Sequence, residues 1–360
     1  MKTPIIEGVT EAGLVSYLNA RQYEKLYWQD MFPIKPVNSL DGKTLIGEAG
    51  SRLAAYIISY DAKAPEVSRK SMQTKYFDIP KTAIARRKTE KEILEHAITK
   101  ALRGRDAVIE DYFNDVDFVF DSVMGRIEWM VLTMLSLTKL QLSVNNNPQG
   151  IVNESVIDFG MPTANKKVAT GAVWSVGNKD TMTPIADIKA VLKAARAKGI
   201  KFERMLMHPD ALDLIIGSTE FQNSAKSLIA GQSLVLGYTG LETVNMIFKA
   251  LDLPVISLIE TSIGIEDKGG NITLANPWSD THVLFVPTTN LGQLYNGPIA
   301  EEIEKPDGVI QAKRQNVMVS MQRAFNPVSV LTKAESNCFP SWPTIDKCFN
   351  LYTGSTSTWA

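Results

Sequence analysis

Few residues in this chain are of the types that do chemistry, and their spacing decides which chemistry is open to them. The only two cysteines, Cys338 and Cys348, sit in SNCFPSWPTIDKCFNLYT (336–353) with nine residues between them. That is not a zinc-knuckle spacing, no histidine follows, and two ligands alone do not make a structural zinc site. A disulfide would need close Cβ atoms and an oxidising compartment, whereas two cysteines in 360 residues fit a reducing one. They read as small buried side chains at the ends of β segments. His96, His208 and His282 lie in three separate segments, without the close spacing of a zinc-binding helix. His208, in MHPDAL, reads as a solvated or capping residue. Gly42-Lys43-Thr44 has the ending of a P-loop, but the position five before Gly42 is Val37, FPIKP precedes it, and a strand pattern follows. The glycines of GQSLVLGYTG (231–240) miss the dinucleotide fingerprint as well. Acidic residues are plentiful, and none is picked out by a surrounding motif. No cofactor, metal or catalytic residue is expected.

Composition narrows the class further. A formal net charge of −1 predicts no general attraction to nucleic acid or to anionic lipid. The start, MKTPIIEGVTEAG, has one lysine and no continuous apolar run, unlike a signal peptide. The best membrane candidate, WMVLTMLSLTKLQLSV (129–144), is short and is interrupted by Lys139 and Gln141, so no membrane partner is expected.

The elements that must carry such a chain have an unusual order. Residues 10–31 predict one amphipathic helix, N-capped by Thr10, with Leu14, Tyr17, Leu18, Trp28 and Met31 on its apolar face. Residues 38–88 predict a long hairpin, with LAAYIISYDA and SRKSMQTKYFDIP as strands around a turn at KAPEVS. Its apolar content is too thin for a core of its own. It is either a solvated excursion or an arm that finds its cover on another chain.

Between Asp106, a candidate N-cap, and the stop NNNPQG, residues 106–144 carry Ile109, Phe113, Val116, Phe120, Val123, Ile127, Met130, Met134 and Leu137 in steps of four and three. One helix of that length is a rod of about 50 Å, against a radius of gyration of about 21 Å for a compact chain of this size. Its C-terminal half is apolar nearly all round, so it should be buried. Residues 184–300 alternate helix and strand patterns: TPIADIKAVLKAARAKG, IKFERMLM, HPDALDLIIG, LETVNMIFKALD, LPVISLIE and DTHVLFVP. The chain closes on the strand patterns NVMVSMQRAF, NPVSVLTKAE and KCFNLYT, then GSTSTWA, which reads as a loose tail.

This order resembles the HK97-like fold of tailed-bacteriophage major capsid proteins, and within it the lambda-type major capsid protein family. THVLFVPTTNLGQLYNGP (281–298), AFNPVSVLTKAESNCFPSWPTIDKCFNLYT (324–353) and HPDAL (208–212) are similar to segments of that family. The resemblance spans residues 10–353 and lies in the order of parts rather than in one motif. It implies an α+β fold made of an N-terminal arm (1–37) and an extended β-hairpin loop (38–80). A peripheral domain with the spine helix (81–183, helix 106–144) follows, then an axial domain (184–300), a return to the peripheral domain (301–353) and a tail (354–360).

The resemblance also implies a non-enzymatic shell protein, with hexamers and pentamers of the same chain closing an icosahedral virion capsid in the host cytoplasm. Its expected partners are a separate scaffold protein, a portal, a decoration protein, and packaged double-stranded DNA held by weak, non-specific phosphate contact. On the arm, Tyr56, Ile58, Tyr76 and Phe77 would be apolar inter-subunit contacts, and Lys63, Arg69, Lys70 and Lys75 would pair with acidic rims of neighbours. Two other readings remain at this stage. One is an encapsulin-like nanocompartment shell; the other is a cytosolic α/β enzyme with 184–300 as its catalytic domain.

Overall fold

Residues 9–47, 72–103, 105–150, 156–228 and 240–359 are described by the computed structural model of the chain. The chain falls into two units. One comprises Met1–Lys43, Tyr76–Trp129 and Gln293–Ser341; the other comprises Thr44–Lys75, Met130–Gly292 and Trp342–Ala360.

A single 14-residue strand, Val328–Ser341, organises the first unit. Its first part lies between Val317–Phe325 on one side and Lys81–Lys88 on the other, both antiparallel. Its last four residues pair instead with Gln293–Asn296, to which Ile34–Pro36 adds in parallel. Val309–Arg314 completes the sheet beside Val317–Phe325. Every residue of Val317–Met321 is buried, Ser320 included, so this part of the strand is covered on both faces rather than alternating.

Against this unit's core runs the N-terminal part of the long helix, Arg105–Leu137. Val116, Phe120, Val123 and Ile127 are each buried, as their spacing predicts. The N-terminal segment packs through Leu14, Leu18, Trp28 and Met31, also as expected. It is not one helix, however, but two: Glu11–Ala20 and Tyr27–Met31. Thr10 does cap the first, accepting from the Gly13 N–H at 3.1 Å. The break has a tertiary cause. The Arg314 guanidinium donates to the carbonyls of Leu18 and Arg21, ending the first helix with a cation at its negative pole.

The second unit holds a five-stranded mixed sheet in the order Lys166–Val168, Phe349–Tyr352, His282–Val286, Arg204–Met207, Val255–Leu258. All five residues of its middle strand, HVLFV, are buried, as a strand covered on both faces requires. The helices Pro184–Ala197, Pro209–Gly217, Thr219–Leu228 and Leu241–Ala250 supply Ile188, Ile215, Phe221 and Phe248 to one hydrophobic core with Phe285 and Phe349 of the sheet. The long helix contributes its apolar end: Met130 to Ser136 are all buried.

Four details depart from the local pattern. The long helix begins at Arg105, so Asp106 lies inside it rather than capping it. It stops at Leu137, well before NNNPQG, because Thr138 turns into the left-handed region (φ 57°) and its carbonyl accepts from the Phe159 N–H. The last strand, Phe349–Tyr352, pairs with His282–Val286 and Lys166–Val168 rather than with the strand Val328–Ser341 that precedes it. Nor is the C-terminal tail loose. Trp359 packs edge-on to His282 and lies under the Lys166 ammonium, and the Ser355 carbonyl accepts from Ala169.

Candidate assembly surfaces

The extended hairpin is rooted in the first unit's sheet at both ends. Ile34–Pro36 leads into it and Lys81–Lys88 leads out, each already paired. At its base the Ile79 N–H donates to the Leu40 carbonyl at 2.8 Å. A Cβ on Gly297 would meet a Leu40 methyl at 3.0 Å, so a glycine there lets the base lie close to the sheet. Beyond the base, Asp41–Gly47 and Met72–Asp78 form a two-stranded sheet. Lys75, Tyr76 and Phe77 lie on its second strand. Tyr56, Ile58, Lys63, Arg69 and Lys70 fall in 48–71, outside the described residues, as does the strand LAAYIISYDA. Among the described residues these two strands pair only with each other, and a two-stranded ribbon is marginal alone in water.

Sequence reasoning did not find the carboxylates that fasten the N-terminal segment to the long helix. Asp117 accepts from the Tyr17 hydroxyl at 2.7 Å and the Tyr23 hydroxyl at 2.8 Å, and pairs with Arg21 at 3.2 Å. Burial and then this carboxylate push the Tyr17 phenol up to about 12, and both act in the same direction on Tyr23. Three turns on, Glu128 binds the start of the second helix. The only local signal was acids inside an otherwise apolar helix.

A second network lies on the sheet. Glu335, 1% exposed, accepts from Lys81 at 2.6 Å and Lys333 at 2.8 Å, and Lys333 also binds Glu301. Burial pushes the Glu335 carboxyl up, but the two lysines outweigh it and hold it below its ordinary range.

Two of the histidines first singled out for chemistry have structural partners. His208 caps the helix Pro209–Gly217, its Nδ1 accepting from the Asp210 N–H. His282 stacks on Tyr352. Gly42, Lys43 and Thr44 lie on a strand, not on the loop before a helix that phosphate binding needs. Both cysteines are free and buried. Among the described residues no cluster of three or more His, Cys, Asp or Glu side chains is placed to hold a metal ion, and no helix is long and apolar enough to cross a membrane.

A sheet-bearing unit with a long helix, a two-stranded hairpin and an inserted α/β unit define the class: an α+β fold of the HK97-like capsid type. Two solved structures share it. A phage-related protein from Bordetella bronchiseptica RB50 aligns with a TM-score of 0.51 at 13% identity, over 98% of this chain and 99% of its own. A protein described as a prophage capsid protein of E. coli CFT073 aligns with a TM-score of 0.51 at 15% identity, over 96% and 99%. A comparison with curated proteins finds no match. The family model of phage major capsid protein E matches residues 22–351, and the chain belongs to that family. It is therefore a structural protein of a bacteriophage capsid shell, located in the virion.

Proposed function

We propose that the chain assembles as hexamers and pentamers into an icosahedral shell enclosing packaged double-stranded DNA, and that it works without catalysis. The observation that carries this reading is the match to the phage major capsid protein E family over residues 22–351. The hairpin supports it physically. A two-stranded ribbon is marginal alone in water and gains burial when a neighbour covers it, as obligate interfaces do.

In this reading the 38–80 loop reaches over the adjacent subunit. Tyr56, Ile58, Tyr76 and Phe77 supply apolar contact, while Lys63, Arg69, Lys70 and Lys75 meet acidic rims. Residues 81–183 with the returning strands after 301 form the peripheral domain, and 184–300 the axial domain. A separate scaffold protein, a portal and a decoration protein are the expected partners, with assembly in the host cytoplasm. A net charge of −1 suits a wall that holds DNA without gripping it.

The test is expression alone and with a scaffold protein, followed by negative-stain microscopy. Shells, tubes or capsomer rings are expected, and a compact monomer under every condition would refute the reading. Deleting residues 42–78 should abolish assembly while leaving a folded subunit. A normal shell from that variant would remove the arm's role.

A further inference from the structure

One end of the first unit's sheet carries a large apolar side chain with almost nothing of its own chain upon it. Phe325 is 90% exposed. It ends the strand Val317–Phe325 and stands opposite Val328 in register, so the two side chains share one face of the hairpin. Val328 and Pro327 line a groove of about 600 Å³ whose other wall includes Arg87, Glu90, Lys91 and Leu94. Leu94 and Ile98, one turn apart on the helix Glu90–Arg103, are each 62% exposed and extend the apolar surface away from the groove. A knob and a socket thus lie side by side, and the ring, 90% exposed, does not fill its own socket.

We propose that this end of the unit is a contact between two copies of the chain, with Phe325 of one copy seated in the groove formed by Leu94, Pro327 and Val328 of the other. Three observations favour a second copy as the occupant. Knob and socket belong to the same surface, which is the condition for a self-complementary contact. The rim carries both signs, Arg87 and Lys91 beside Glu90, so two such rims meeting in opposite sense place unlike charges together. The chain belongs to the phage major capsid protein E family, and on the shell-subunit reading the neighbours of this surface are copies of itself. Exposed apolar clusters of this kind mark interaction sites on otherwise polar surfaces.

The inference rests on the shell-subunit reading, and its test separates the two. The unaltered chain, Phe325→Ala and Phe325→Asp are each assembled and sedimented, and the thermal midpoint of each subunit is measured. Both variants should lose at least tenfold in sedimentable particles with the midpoint unchanged. As a second readout, a size-tagged chain carrying Phe325→Cys, kept a minor fraction so that most subunits retain the ring, is co-assembled with an untagged chain carrying Leu94→Cys, then oxidised. A mixed disulfide dimer is expected in particles. Wild-type particle yield from Phe325→Asp, or particles without the mixed dimer, overturns the contact and leaves the shell reading standing. If Phe325→Asp assembles normally but no longer retains a second virion protein, the groove serves that protein and the self-contact is refuted. If the unaltered chain forms no particle with or without scaffold, the shell reading falls and this inference with it.

Discussion

The carboxylate of Glu128 lies 3.0 Å from the backbone nitrogen of Trp28, and its other oxygen lies 2.9 Å from that of Tyr27. One side chain of the long helix therefore takes two of the N–H groups that the short helix Tyr27–Met31 leaves without an intrahelical partner. It does so almost without water, being 1% exposed.

That geometry gives a pH dependence. Burial pushes the Glu128 carboxyl up to about 7 from an ordinary 4.5, and the two N–H bonds counter this only in part. The folded chain thus binds this proton more tightly than the unfolded chain does. The stability contributed by the protonated group is fully present below the ordinary value and is lost as pH rises through the folded one. The window from 4.5 to about 7 is worth about 3 kcal/mol. The unfolding midpoint should fall from pH 5 to pH 8, and Glu128→Gln, which keeps one acceptor oxygen, should flatten that slope. Equal slopes for the two proteins would remove Glu128 as the cause.

The long helix was legible because its information is local. Val116, Phe120, Val123, Ile127, Met130 and Met134 recur at helical spacing and all are buried. The caps at Thr10 and His208 were legible for the same reason, each serving its own first turn. What failed depends on residues far along the chain. The break after Ala20 is made by Arg314 and Glu128, and the strand Phe349–Tyr352 chooses its neighbours from two other segments. Local periodicity says that a strand forms, not which sheet receives it. The arm residues had no local signal at all. A thin apolar content suggested a missing partner, and only the order of elements suggested which kind.

Asp117 is expected to hold the first helix in place. It satisfies two phenols, from Tyr17 and Tyr23, and one guanidinium, from Arg21. Asp117→Ala would leave both hydroxyls at a partly buried surface without their acceptor, at a cost of roughly 3 kcal/mol for hydrogen bonds to a charged group. The loss should fall on the docking of Glu11–Ala20 rather than on the sheet. Limited trypsin digestion should cut after Arg21 or Lys25 at least tenfold faster than in the unaltered chain, with the remainder intact. An unchanged digestion rate would show that apolar packing through Leu14 and Leu18 suffices.

In the second unit the corresponding anchor is Asp187, 1% exposed near the start of Pro184–Ala197. It accepts from the Thr170 N–H at 2.8 Å, the Thr170 hydroxyl, and the Trp174 indole N–H at 2.9 Å. Those bonds tie the 169–174 loop to the helix. Asp187→Ala leaves three donors stranded, which predicts a loss of about 3 kcal/mol or more in this unit. Because Trp174 is itself buried, the loss should be accompanied by a red shift of its fluorescence. Denaturant unfolding followed at that wavelength measures both. Thr170→Val should cost less, since the Thr170 backbone N–H and the indole keep their acceptor.

The cysteines that first suggested metal or redox chemistry give the last prediction. Burial pushes both thiols up, most strongly at Cys348, so neither is a ready nucleophile or metal ligand at neutral pH. Cys338 sits in a polar niche, with its sulfur 3.2 Å from the Asn316 amide nitrogen and 2.9 Å from the Ser336 hydroxyl. Cys348, before the strand Phe349–Tyr352, donates to the Thr344 carbonyl at 3.4 Å. Serine is therefore the better isostere at 338, and alanine at 348, where a hydroxyl would be buried in a less polar site. In the native protein neither thiol should react with a disulfide reagent at pH 8 within hours, and both should react at once in denaturant. The double variant Cys338→Ser with Cys348→Ala should assemble as the unaltered chain does, and a large assembly defect in a folded double variant would return the cysteines to the list of functional groups.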